Sequence, residues 1–151
     1  MKYLQKADEF IGKANLPEAT KERLTTRSML WHFYFLTASD ELDKAQVEAE
    51  NCKTQVASRK DPGEQMLLNS LLGLFELKKG DYDQAIGYLS KGDNTNPMTW
   101  YYTAVAYSKK GDKQDSERLF DKISKCNVNS LDLALVRKPA MQQLDNFGSA
   151  K

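Results

Sequence analysis

Side chains able to do chemistry are few in this chain, and their spacing keeps them apart. His32 is the single histidine, embedded in the run Trp31-His32-Phe33-Tyr34-Phe35 with no carboxylate or cysteine close in sequence. A histidine so placed is expected as a packed or edge residue, since catalysis by imidazole needs a nucleophile or carboxylate assembled beside it. Cys52 and Cys126 are far apart and neither has a second cysteine nearby, so no C-x-x-C redox pair or zinc cluster arises from local spacing. Two free structural thiols are expected. The chain contains no Gly-rich phosphate loop, metal-ligand pair or nucleophile elbow, and the reading is a protein that is not an enzyme and has no cofactor.

Charge is the next chemistry to weigh. Lys and Arg total 22 against 21 for Asp and Glu, a net charge of +1, so no overall field draws in nucleic acid or an anionic membrane. The concentrated cations are Lys78-Lys79 and Lys109-Lys110, which would form a small basic ridge or, more simply, solvated helix C-termini. With 151 residues, 40% of them hydrophobic, the chain suffices for one folding unit. The longest apolar block, around His32, is far short of a membrane span, and the N-terminus has no apolar signal core. A soluble protein is expected, in the cytoplasm or exported behind a removed signal.

The elements that position these residues are helices. Leu4, Ala7, Ile11 and Ala14 recur at spacings of three and four, marking one helix over residues 1–14. Asn15-Leu16-Pro17 breaks it, and Pro17-Glu18 opens a second helix to about residue 38, expected to be buried on most sides because of its aromatic block. Ser39 or Asp40 then caps a helix whose stripe is Leu42, Ala45, Ala49, Cys52 and Val56. Asp61-Pro62-Gly63-Glu64 reads as a capping box, and Asn96-Pro97 repeats its logic. Asn129 or Ser130 caps a last helix that Pro139 should kink or restart, and residues 147–151 are expected to form a tail.

Residues 66–126 say the same thing twice. Lys78-Lys79-Gly80-Asp81 returns as Lys109-Lys110-Gly111-Asp112, a period of 31 residues. Gly73 and Ala104 stand seven positions before each glycine, Ala85 and Ser116 five after, and Leu89 and Phe120 recur beyond them. A period in the thirties, with two short helices joined at a Gly, marks a helical repeat array.

This pattern resembles the tetratricopeptide repeat. Over 97–130 the family's positions are matched by Trp100, Ala104, Tyr107, Gly111-Asp112, Ser116 and Phe120. Over 66–96 they are matched by Leu72, Gly73, Gly80, Asp81, Tyr82, Ala85 and Leu89, closing at Pro97. Asn69 stands where the family has Trp, and this copy is about three residues shorter than the usual 34. Residues 21–65 form a degenerate copy with Asp40 in place of the turn glycine, and about 130–146 a capping helix. The resemblance implies an all-α, right-handed solenoid of helical hairpins, a single domain over 1–146.

It also implies a function. First helices of such repeats line a concave groove, and the positions assigned to it here are Leu67, Ser70, Leu74, Leu77, Met98, Tyr101, Val105 and Ser108. These are mostly apolar, unlike the Lys, Arg and Asn with which the best-known peptide-binding members clamp a carboxylate. The expected partner is therefore an apolar protein segment or helix, with no nucleic acid. The alternative is a structural piece of a larger repeat protein or homo-oligomer whose groove is filled internally. Since Met1 begins almost at once inside a helix, an upstream repeat would favour that alternative.

Overall fold

The computed structural model describes residues 2–148, and among them the chain is all-helical, without strands. Eight helices follow in order: α1 Lys2–Lys13, α2 Glu18–Ala38, α3 Leu42–Arg59, α4 Pro62–Lys79, α5 Tyr82–Leu89, α6 Pro97–Lys110, α7 Lys113–Lys125 and α8 Leu131–Gly148. The backbone divides into two compact units, Met1–Leu71 and Leu72–Lys151, with the division inside α4.

Turn chemistry accounts for where the helices stop. Asp40, Gly80 and Gly111 all take positive φ, at 59°, 85° and 92°. At each, the amide donates to the carbonyl three residues back (Thr37, Leu77 and Ser108), at 3.1–3.2 Å. The following amide of Glu41, Asp81 or Asp112 donates to Leu36, Glu76 or Tyr107, at 2.9–3.0 Å. This shared pattern satisfies carbonyls that a helix end would otherwise leave open. After the two glycine turns an aspartate caps the next helix, Asp81 accepting from the Gln84 amide and Asp112 from the Asp115 amide.

Asp40 thus takes the same left-handed conformation as Gly80 and Gly111, and not an N-cap position. The N-cap of α3 is Glu41, whose side chain makes no capping hydrogen bond, which corrects the expected Ser39 or Asp40 cap. The Asp61 cap is present, its Oδ1 accepting from the Glu64 amide at 2.9 Å. The capping box is only half made, because Glu64 Oε2 accepts from Arg59 Nε at 2.7 Å. A charge-assisted bond to guanidinium outweighs one to a neutral amide. Asn96 accepts from the Met98 amide and Ser130 from the Leu133 amide, as read. Helix α8 runs unbroken through Pro139, so no restart occurs there. Residues 147 and 148, expected in the tail, belong to this helix; 149–151 lie outside the described residues.

In the first unit, α2 packs on α1 and on α3. Leu30 and Phe33 of α2 meet a core whose α3 side is the expected stripe Ala45, Ala49, Cys52 and Val56, each no more than 1% exposed. Most of the aromatic block is not core. Phe33 is fully buried, whereas Trp31 is 46% and Phe35 42% exposed. Successive helical residues turn by about 100°, so five consecutive positions visit every face, and the sides covered by α1 and α3 do not bury them all.

In the second unit, α5 packs on α6, α6 on α7, and α8 on both α6 and α7. Gly73 lets α4 and α5 touch: a Cβ there would lie 2.4 Å from Leu89 Cγ and 3.2 Å from the Ala85 carbonyl. Ala104 and Ser116 make the same close approach between α6 and α7, with Ser116 Oγ donating to the Ala104 carbonyl at 2.9 Å. Around them lies a cluster of Leu119, Phe120, Ile123, Leu133, Val136 and Ala140.

Candidate functional site

The surface assigned to partner binding comes from the first helices of two hairpins. In the first unit, Leu67 and Ser70 of α4 are half-buried. In the second, Leu77 on α4 and Met98, Tyr101, Val105 and Ser108 on α6 are half-buried, while Leu74 is only 5% exposed. Leu74 therefore has almost no surface to offer a ligand. Met98, Tyr101 and Val105 pack against the cluster built with α7 and α8, and the Tyr101 ring lies 5.9 Å from that of Phe120. Burial raises the Tyr101 phenol above its ordinary pKa. Phe147, near the end of α8, reaches the same Phe120 ring at 6.4 Å. The α6 positions thus have one side turned to the protein's own last helices.

Two of the four lysines of the expected basic ridge are paired with carboxylates. Lys79 Nζ lies 2.9 Å from Glu76 Oε2 and over the Phe75 ring, and Lys110 Nζ lies 2.5 Å from Asp83 Oδ1. Its hydrogen bond to Asp83 holds the Lys110 ammonium above its usual pKa. This pairing links the end of α6 to the start of α5. Both halves of it remain in solvent, where such pairs contribute little.

A constellation that sequence spacing does not disclose lies in the first unit. Asp8 of α1 accepts from Ser28 Oγ at 2.5 Å through Oδ1, and its Oδ2 lies 3.0 Å from His32 Nε2. Serine, aspartate and histidine therefore meet, but with the carboxylate in the middle. Nucleophilic activation needs the hydroxyl on the imidazole and the carboxylate behind it. Here both groups hold Asp8, and the arrangement clasps α1 to α2. Ile11, Lys21, Met29 and Glu48 join Asp8 and His32 around an open cleft of about 410 Å³. His32 is thus the edge histidine expected, and its acidic partner was hidden because it lies 24 residues away.

The thiols are free. Cys52 is 1% exposed, and burial, aided by the charge of Glu48, pushes it up to about 12. Cys126 is half-buried, its carbonyl accepting from Arg137 at 3.0 Å where that guanidinium closes the end of α7. No group of three or more His, Cys, Asp or Glu able to hold a metal is found among the described residues. No described helix is long and apolar enough to cross a membrane. Comparison with family models, with curated proteins and with solved structures gives no match.

Proposed function

We propose that this chain is a non-enzymatic interaction module, a tetratricopeptide-like stack of helical hairpins that offers its first helices to a segment of a partner protein. The observation that carries this reading is the repeated turn: α2–α3, α4–α5 and α6–α7 are each joined through one residue in the left-handed conformation and the same pattern of hydrogen bonds. A device repeated with such fidelity is how a chain makes a rigid series of similar surfaces. Within the second unit, the part of that surface left to a ligand is the accessible side of Leu77, Met98, Tyr101, Val105 and Ser108, which suits an apolar segment.

The test uses half-exposed positions. Leu77→Glu with Ser108→Glu adds charge that an apolar ligand cannot solvate, while Gly73, Ala85, Ala104 and Phe120 stay intact. Affinity capture with mass spectrometry should show the parent's partners lost, with helical circular dichroism unchanged. Retention of every partner by the folded variant would remove this surface from consideration.

A second reading has its own support. Met98, Tyr101 and Val105 already pack against the cluster formed with α7 and α8, which favours a structural piece whose groove is filled internally. In that case the parent captures nothing, or only copies of itself.

A further inference from the structure

The aromatic block of α2 leaves part of itself outside the core, on a side of the helix that also carries two exposed arginines. Trp31, Tyr34 and Phe35 form a continuous ring cluster, Trp31 to Tyr34 at 5.6 Å and Tyr34 to Phe35 at 5.4 Å, both edge to face. One and two turns before Trp31 on the same side of α2 stand Arg27 and Arg23, both exposed, and one turn beyond Phe35 stands exposed Ala38. Neither arginine forms an ion pair among the described residues. The indole N–H of Trp31 and the hydroxyl of Tyr34 likewise make no hydrogen bond there. The acidic residues of α2, Glu18 and Glu22, fall on other faces, and Glu22 Oε2 is 3.5 Å from Arg59.

We infer that this face of α2 is a docking surface for a short acidic, amphipathic protein segment, whose carboxylates meet Arg23 and Arg27 and whose large apolar side chain lies on Trp31 and Phe35. Charge complementarity selects the occupant. Arg23 and Arg27 are about 6 Å apart at Cβ, the spacing of side chains one turn apart on a partner helix. Guanidinium matches carboxylate in bidentate geometry and is weakly hydrated, so it pairs well at an interface. Aromatic side chains and arginine are the residues on which interface affinity concentrates. Two cations match two carboxylates, whereas a nucleic acid or an anionic bilayer draws on many more. This surface is independent of the first-helix apolar positions on α4 and α6, and either reading can fail alone.

The test uses the full chain and a labelled peptide with two glutamates one helical turn apart and a leucine one turn beyond. Fluorescence anisotropy should show saturable binding that weakens with salt. Arg23→Gln with Arg27→Gln should reduce affinity by about tenfold or more, and Trp31→Ala similarly. Replacing the peptide's glutamates with glutamine should remove the salt dependence. Because both arginines are exposed and unpaired, their double variant should keep the parental melting temperature, so that lost binding reports the surface and not the fold. Failure of the parent to bind, or equal binding by the folded double variant, overturns the proposal. So does a parent that ignores the peptide yet binds phosphatidylserine vesicles or poly-uridine.

Discussion

Cys52, Gly73 and Gly87 each respond to what touches them, and their neighbours set the sign of each expectation. Iodoacetamide at pH 8 should modify Cys126 and spare Cys52 in the native protein, as read by peptide mass mapping; comparable labelling of both would contradict the burial of α3. Linkage follows from the same burial. The folded thiol titrates at about 12 against its ordinary 9.0, so between these values the unfolded chain loses a proton that the folded one keeps. Cys52 therefore stabilises the fold fully below pH 9, and that contribution is lost as pH rises toward 12. Cys52→Ala should flatten this alkaline decline in denaturant titrations. At Gly73 a methyl group collides with Leu89, and this outweighs the helical preference for alanine: Gly73→Ala should lose about 1 to 3 kcal/mol. Gly87 has open space around it, so Gly87→Ala should gain about 0.5 to 1 kcal/mol. The opposite sign at either position would show that α4 and α5 do not meet as described. His32 and Asp8 mark the limit of residue-level reading: the histidine's edge character is legible, its partner is not.

Among the elements, the turns carry the most information. Gly111 has φ of 92° and nothing within 4 Å of a built Cβ, so a side chain there is opposed by backbone conformation alone. Gly111→Val should cost about 1 kcal/mol or more, measured by thermal unfolding. Lys60 is the mirror case, a lysine at φ of 54° between α3 and α4. Lys60→Gly relieves that strain and should stabilise by up to about 1 kcal/mol, against a neutral result if the left-handed conformation is absent in solution. These turns were readable because a glycine, an aspartate and their hydrogen bonds lie within six residues of each other. Asp40 was readable by alignment with Gly80 and Gly111. The burial of the α2 aromatic block was not, since a helix containing five consecutive large side chains does not say which side another helix will cover.

At the scale of the molecule, each unit has its own buried core, Phe33 in the first and Phe120 in the second, both fully enclosed. Phe33→Ala and Phe120→Ala should each lose about 3 to 5 kcal/mol in chemical denaturation. Hydrogen exchange should then localise the damage, with Phe120→Ala deprotecting α6–α8 before α1–α3; uniform loss would show one shared core instead. The sequence by itself determined the eight helices, the helix stops at Gly80 and Gly111, the caps at Asp61, Asn96 and Ser130, and the small-residue positions where helices touch. All of these depend on hydrogen bonds and sterics between residues a few positions apart. Tertiary structure alone decided that Asp8 would meet Ser28 and His32, that Glu64 would turn to Arg59, that Leu74 would be covered, and that Trp31 and Phe35 would face solvent beside unpaired arginines. Those outcomes depend on which helix lies against which face, and that is a competition for apolar contact among all the helices of a unit at once.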